Sequence, residues 1–208
     1  MVKIGKQGEI ELEAKDSYIS FKVKSFENNK DEGKEAFNGE IKIQPHRVFD
    51  FLEVIYGEQD FTVLKSGISQ LRIKNKMEKG GIRIHVIKTD GSRNIVASSS
   101  FLILNSKLNA LKNELLKEIK NLKAVSIAKD DFHLLKTGEI IVMRNENKEL
   151  FLDDTGKEQL KNIIFNNFII SNPRPIQTKL YKIDEERNLV FRGLLIPKEV
   201  IRKIYILF

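Results

Sequence analysis

The chain of 208 residues contains no cysteine and no tryptophan. Without cysteine there is no disulfide, no thiolate zinc site and no cysteine nucleophile, which excludes several enzyme classes. No apolar run approaches the roughly 20 residues needed to cross a bilayer, and the amino-terminal segment lacks the apolar stretch of a signal peptide. These absences predict a soluble, cytoplasmic protein that does not enter a membrane.

Catalytic motifs are also absent from the sequence. There is no Walker loop, GxGxxG, HExxH or GxSxG, and no histidine has a partner at a metal-ligand spacing such as i, i+4. The aspartate pairs at 130–131 and 153–154 lie at predicted turns or helix starts, and Asp154 or Thr155 is the predicted cap of the third helix. The sequence therefore predicts a protein that is not an enzyme, with no catalytic residue, no metal site and no cofactor.

Positive charge is plentiful and unevenly distributed. The net charge is +7, but residues 65–123 hold 13 Lys or Arg against 4 acidic residues, a local +9, and the remaining 149 residues carry −2. A region with this excess of positive charge attracts polyanions, either nucleic acid or an acidic membrane surface. The alternative is a lysine-rich surface that only keeps the protein soluble.

A repeated unit organises the chain: an alternating strand ends in a small polar residue or proline and runs directly into an amphipathic helix. The unit occurs four times, ending near residues 57, 123, 166 and 208. This pattern predicts an α+β fold of tandem ββββα-like modules, with curved antiparallel sheets packed on helices. We expect two modules, 1–57 and 58–123, in a nucleic-acid-binding domain 1–123, and two shortened strand-helix modules in 124–208, used for assembly.

Turn and cap residues place the helices. Pro45 suits the first turn of a helix that runs to Tyr56 and stops at Gly57. The second predicted helix covers 106–122 and the third covers 155–166. Most phenylalanines, including Phe21, Phe49, Phe101 and Phe151, fall in phase with core positions, which disfavours them as base-stacking platforms.

Strand phase in the second module predicts a basic surface. Two strands, 70–77 and 82–88, flank a Gly80-Gly81 turn and alternate between apolar and basic residues. The basic side contains Arg72, Lys74, Lys76, Arg83, His85 and, after a predicted slip at Ile87, Lys88. Like charges this close repel one another, and phosphates would relieve the repulsion. Phosphate contact is therefore better supported than base stacking.

The run 72–91, RIKNKMEKGGIRIHVIKTDG, followed by 100–115, SFLILNSKLNALKNEL, resembles the ββββα unit of the positive-cofactor-four, Whirly and PUR superfamily of single-stranded nucleic-acid binders. The resemblance implies two units that pair through their helices, as a dimer or within one chain, and sheets that present a basic groove. It implies that the groove contains Lys74, Lys76, Lys79, Arg83 and Lys88, with Arg72 and His85 beside them. The first module would add Tyr18, Lys22, Lys24 and Lys42, and Arg93 in the following turn completes the predicted set.

These observations predict a protein that binds single-stranded DNA or RNA through phosphates, with little sequence preference. One alternative is a sequence-specific transcriptional or post-transcriptional regulator. Another is an assembly or adaptor protein that binds other proteins and no nucleic acid.

Overall fold

The protein is described by a computed structural model that covers residues 2–3, 8–26, 35–76 and 80–208, and side chains within 8–25, 38–75 and 80–208. The chain forms two compact units, Met1–Leu122 and Lys123–Phe208. Each unit contains two four-stranded antiparallel sheets and two α-helices, in the order ββββα-ββββα. The predicted α+β fold of tandem sheet-and-helix modules is confirmed.

The first unit contains two modules of similar build. The first comprises β1 (Val2–Lys3), β2 (Gly8–Ala14), β3 (Ile19–Phe26), β4 (Glu35–Ile43) and α1 (Pro45–Tyr56). The second comprises β5 (Phe61–Ser66), β6 (Ser69–Lys76), β7 (Gly81–Thr89), β8 (Ile95–Leu104) and α2 (Asn105–Asn121). Within each module the strands lie side by side in chain order, so each sheet is a meander. We call these the first and second sheets.

The residues at its two ends explain where helix α1 begins and ends. Pro45 occupies its first turn, and Gly57 ends it with a left-handed φ of 76° while donating to the carbonyls of Glu53 and Val54. The predicted bounds of this helix are confirmed. Its apolar face is buried, as are the predicted core residues Phe21 and Phe101.

The two modules of the first unit share their helices. Helix α1 packs on β5 and β6 of the second sheet, while α2 packs on β1 and β2 of the first sheet as well as on β7 and β8. The Glu118 side chain of α2, only 8% exposed, accepts a 2.7 Å hydrogen bond from the backbone N–H of Ala14 at the end of β2. Each sheet is thus covered partly by the helix of the other module.

The second unit repeats the plan with shorter strands. Its third module comprises β9 (Ala124–Lys129), β10 (Phe132–Thr137), β11 (Ile140–Asn145), β12 (Lys148–Leu152) and α3 (Asp154–Ile164). After a π-helical segment, Phe165–Ile169, the fourth module comprises β13 (Ile176–Gln177), β14 (Tyr181–Ile183), β15 (Leu189–Phe191), β16 (Leu194–Ile196) and α4 (Lys198–Leu207). The two sheets, called the third and fourth sheets, are again meanders.

The second unit corrects two details of the third helix. The third module has four strands of five or six residues, so it contains a full set of four strands that are shorter than most strands of the first unit. The α-helical part of the third helix ends at Ile164, two residues before the predicted end, where the π-helical segment begins. The helix cap is Asp153, not Asp154 or Thr155, because the Asp153 carboxylate accepts a 2.7 Å hydrogen bond from the Gly156 N–H. In the part of the chain that the structure describes, no helix is long and apolar enough to cross a membrane.

Gly81 offers a test of the second sheet. A Cβ added there would lie 2.1 Å from the Ile103 carbonyl oxygen of β8, so the backbone would have to move. We expect Gly81→Ala to reduce the free energy of unfolding by about 1–3 kcal/mol, the usual cost of overpacking. Urea unfolding followed by circular dichroism measures the change.

The matched control is Gly91→Ala, since a Cβ at Gly91 meets no atom within 4 Å. Equal unfolding midpoints for the two variants would contradict the close approach of β7 and β8 at Gly81.

Candidate nucleic-acid interface

One face of the second sheet points away from the helices and carries a group of basic side chains. Strand register aligns Phe61, Lys74, Arg83 and Leu102 in one row across β5–β8. It aligns Val63, Arg72, His85 and Ser100 in the next row, and Lys65, Gln70, Ile87 and Ser98 in the third, in which Ile87 is buried. We call Lys65, Arg72, Lys74, Arg83 and His85 the basic face.

Alternation along β6 and β7 creates this face. Leu71, Ile73 and Ile84 are fully buried on the helix side, which turns their neighbours outward. Arg72 and Lys74 are exposed, and Arg83 and His85 are half-buried between adjacent strands. The predicted sharing of one side by Arg72, Lys74, Arg83 and His85 therefore agrees with the register.

The four strands that carry the basic face contribute no negative charge to it. The sequences of β5, β6, β7 and β8 contain neither aspartate nor glutamate. Among the described residues, none of the four cations of the face forms an ion pair; Arg83 donates a 3.2 Å hydrogen bond to the Ser100 hydroxyl. The sheet thus presents unneutralised positive charge to solvent.

The positive charge of the face affects the pKa of His85. Partial burial lowers the pKa of its imidazole below the usual 6.5, and the nearby charges of Arg72 and Arg83 lower it further. The imidazole is therefore neutral at pH 7, and the positive charge of the face comes from its Lys and Arg side chains. A polyanion bound there would have the opposite effect and raise this pKa.

The corresponding face of the first sheet is charge-balanced. Register aligns Lys24 with Glu9, Lys22 with Glu11 and Glu40, and Lys42 with Ser20, which in turn faces Glu13. The Lys22 ammonium lies 3.8 Å from a carboxylate oxygen of Glu11 and 3.8 Å from one of Glu13. Lysines with such partners offer less free charge to a phosphate.

Tyr18 and Lys42 of the first module contact each other. The Lys42 ammonium lies 5.1 Å from the centre of the Tyr18 ring, which is in the turn before β3. A role in nucleic-acid binding for Tyr18, Lys22, Lys24 and Lys42 remains a prediction.

Two other predicted residues, Lys88 and Arg93, lie away from the rows of the basic face. Lys88 aligns with Ser69 and Ala97, on the parity of the inward residues, although Lys88 is exposed and Ile87 is buried. The register shift follows Lys88, one residue after the predicted slip. Arg93 lies in the turn between β7 and β8 with a left-handed φ of 68°. Lys79 and the Lys76 side chain lie outside the described residues.

Two outward residues were missed by the sequence analysis. Lys65 is exposed at the end of β5, and Phe61, 49% exposed, lies directly opposite Lys74. Period-two alternation places both on one side of β5. The run Phe61-Thr62-Val63-Leu64, however, has apolar residues at odd and at even positions. Only the burial of Thr62 and Leu64 identifies the outward side.

A basic cavity of about 400 Å³ lies beside the face, between the end of β4, the start of α1 and β5. Its lining includes Lys42, His46, Arg47 and Lys65. Arg47 is held there by a 3.0 Å hydrogen bond to the Val63 carbonyl and a 3.0 Å ion pair with Asp50. Through Lys65 and Lys42 the cavity connects the basic face with the first sheet.

The third sheet has a different outward face. Register aligns Leu135, Val142 and Phe151 across β10–β12, and Leu135 and Phe151 are 52% and 65% exposed. The prediction that Phe151 belongs to the core is wrong. All three residues of Leu150-Phe151-Leu152 are apolar, so alternation does not show which side of β12 is buried.

Comparison with known proteins adds the following. No protein-family model and no curated protein matches the chain. Among solved structures, it is similar to a chain of a guide-RNA-binding protein complex bound to a guide RNA, with a TM-score of 0.43 and 11% identity over 55% of this chain and 80% of that chain. It is also similar to a chain in the Trypanosoma brucei MRP1/MRP2 crystal structures, with a TM-score of 0.41 and 10% identity over 57% of this chain and 77% of that chain.

The depressed pKa of His85 gives a direct probe of the basic face. Removal of a neighbouring positive charge favours the imidazolium form, so Arg83→Gln should raise the pKa of His85. An NMR titration of the three histidines, with His85→Gln to assign the signal, measures the shift.

Lys22→Gln on the first sheet serves as the control and should leave the titration of His85 unchanged. If Arg83→Gln has no more effect than Lys22→Gln, the arginine does not act on the imidazole as the geometry indicates.

Proposed function

We propose that the protein binds single-stranded nucleic acid through the basic face of its second sheet, mainly by contacts to phosphates and with little sequence preference. The observation that carries the proposal is four cations on one sheet face whose strands contain no acidic residue. The resemblance to the positive-cofactor-four, Whirly and PUR superfamily supports it; membership of that superfamily remains a prediction.

Phosphate binding fits the charge of this face. Each phosphate neutralised by Lys or Arg releases condensed counterions, which favours association at moderate salt. Binding also relieves the repulsion among Arg72, Lys74 and Arg83, whose side chains occupy adjacent positions of β6 and β7. No described carboxylate competes with the phosphates for these three side chains.

A single strand suits the face better than a duplex. Phe61 and Leu102 flank the cations at the two ends of one row, and Phe61 is half-exposed. Unpaired bases expose flat apolar surfaces that such side chains can contact, whereas a duplex hides them in the stack. The cations would then hold the backbone while the apolar ends contact bases.

We propose binding without catalysis. Burial and the charges of Arg72 and Arg83 disfavour the protonated form of His85, and the four strands of its sheet contain no carboxylate that would offset them. The face therefore has the chemistry of a binding surface.

The salt dependence of binding tests this proposal. Fluorescence anisotropy with a labelled single-stranded oligonucleotide should show affinity that falls steeply as salt rises. The triple variant R72A/K74A/R83A should weaken binding and reduce the slope of log K against log salt by about 2, because each lost phosphate contact on a single strand removes about 0.7.

The matched control is K107A/K179A/K182A, which removes the same charge from exposed lysines outside the face. Equal losses in the two variants would point to a general charge effect and contradict the assigned surface. Equal affinity of the wild-type protein for single strands and duplexes would contradict the preference for single strands. A large affinity difference among unrelated sequences would favour the sequence-specific regulator.

A second candidate function is protein assembly, favoured by the exposed apolar row Leu135, Val142 and Phe151 on the third sheet. If this function is the main one, the protein should capture a partner in a nuclease-resistant pull-down and bind no oligonucleotide at low salt. Leu135→Ser with Phe151→Ser should then abolish capture, while the triple variant of the basic face should not affect it.

A further inference from the structure

Strand β8 forms one edge of the second sheet, because it pairs with β7 and with no other described strand. Its sequence, IVASSSFLIL, extends over ten residues without a charge, a proline or a glycine. A long edge strand of this kind is an open template for pairing with another strand, and proteins usually protect such edges.

The other described sheet edges carry protection of the usual kinds. Edge strands β4, β5, β9 and β12 contain lysine, glutamate or both. The remaining edges, β1, β13 and β16, are only two or three residues long. The lack of charge on β8 therefore differs from the pattern in the rest of the molecule.

The backbone of β8 is open for pairing. The Asn105 N–H donates to the Gly80 carbonyl directly opposite, which fixes the alternation of hydrogen bonds between β7 and β8. By that alternation, the even-numbered residues from Ser98 to Leu104 direct their N–H and C=O groups away from β7. The regular pairing ends at Ala97, because the register then shifts and leaves Val96 without a partner on β7. Val96 and Leu104 are 58% and 52% exposed, and Ser98 and Ser100 between them are exposed as well.

We propose that β8 pairs antiparallel with β8 of a second copy of the chain, about a two-fold axis at Ser99. The side chains of the strand complement one another in this register. Ala97 faces Phe101 of the second copy, and Val96 faces its Leu102, so a smaller side chain lies opposite a larger one at both positions. Ser98 faces Ser100, and Ile95 faces Ile103.

The helices do not offer an equivalent contact. In the first unit α1 and α2 pack on each other and on both sheets, so the pairing of modules through helices is completed within one chain. Among the described strands, β8 is the longest edge strand, and it carries no charge.

The proposed pairing joins two sheets into one of eight strands. Rotation about a two-fold axis perpendicular to a sheet does not exchange the two sides of the sheet. The basic faces of both copies therefore lie on the same side. At roughly 4.8 Å between neighbouring strands, the β6 strands of the two copies are about 24 Å apart. The pairing depends on the edge alone and does not require that the basic face binds nucleic acid.

Single cysteines test the pairing without interference, because the chain contains no native cysteine. In the proposed register the two Ser99 residues are directly opposite, so Ser99→Cys should form an interchain disulfide under mild oxidation. At about 50 µM protein, cross-linking should be at least about tenfold faster than for Ser66→Cys on β5, since pairing raises the effective thiol concentration to the millimolar range. Light scattering on the reduced wild-type protein should show a dimer.

The variant Val96→Lys keeps the sheet intact and places a charge on the open edge. It should give a monomer by light scattering with an unchanged circular dichroism spectrum, and the double variant V96K/S99C should cross-link no faster than S66C. The proposal is overturned if the wild-type protein is a monomer at this concentration, as it would be if another protein covers β8. It is also overturned if S99C and S66C cross-link at the same rate.

Discussion

A four-stranded meander with one apolar face has to bury that face, and a single short helix covers too little of it. The first unit meets this constraint by sharing helices: α1 packs on β5 and β6, while α2 packs on β1 and β2 as well as on its own sheet. The hydrogen bond from the Ala14 N–H to the buried Glu118 carboxylate adds a polar contact between α2 and the first sheet. Each module of the unit therefore relies on the helix of the other module to bury part of its apolar face.

Because the apolar sides of the sheets are occupied in this way, sequence differences between modules accumulate on the outward sides. The first sheet carries paired Lys and Glu side chains, the second carries cations alone, and the third carries the apolar row Leu135, Val142 and Phe151. The inward residues of these sheets, such as Val23, Ile84 and Met143, are aliphatic or thioether side chains of similar size and are fully buried. One framework thus presents surfaces of three different chemistries, and the proposed functions follow those surfaces.

The sequence predicted what depends on neighbours along the chain. Pro45 and Gly57 define α1 locally. Alternation within β6 and β7, together with the hairpin predicted at Gly80-Gly81, places Arg72, Lys74 and Arg83 on one side. The sequence could not predict what depends on pairing across the sheet. The acidic partners of Lys22 come from the register of β3 with β2, and the side on which Lys88 lies depends on where the register shifts. Phe61 and Phe151 are exposed on strands with apolar residues at both parities, where alternation does not identify the outward side.

The uncompensated positive charges of the second sheet repel one another, and the rest of the described fold gives no reason for placing them together. The lowered pKa of His85 arises partly from Arg72 and Arg83, which means that the face repels additional positive charge in the free protein. On the first sheet the same kind of surface is neutralised by glutamates on the neighbouring strands, so the fold itself permits compensation. A structural role for the cations would be served equally well by the compensated arrangement. The compensated arrangement would not serve a surface that must attract a polyanion, because glutamates beside the lysines would repel the phosphates. The difference between two sheets of the same build therefore argues for binding at the second.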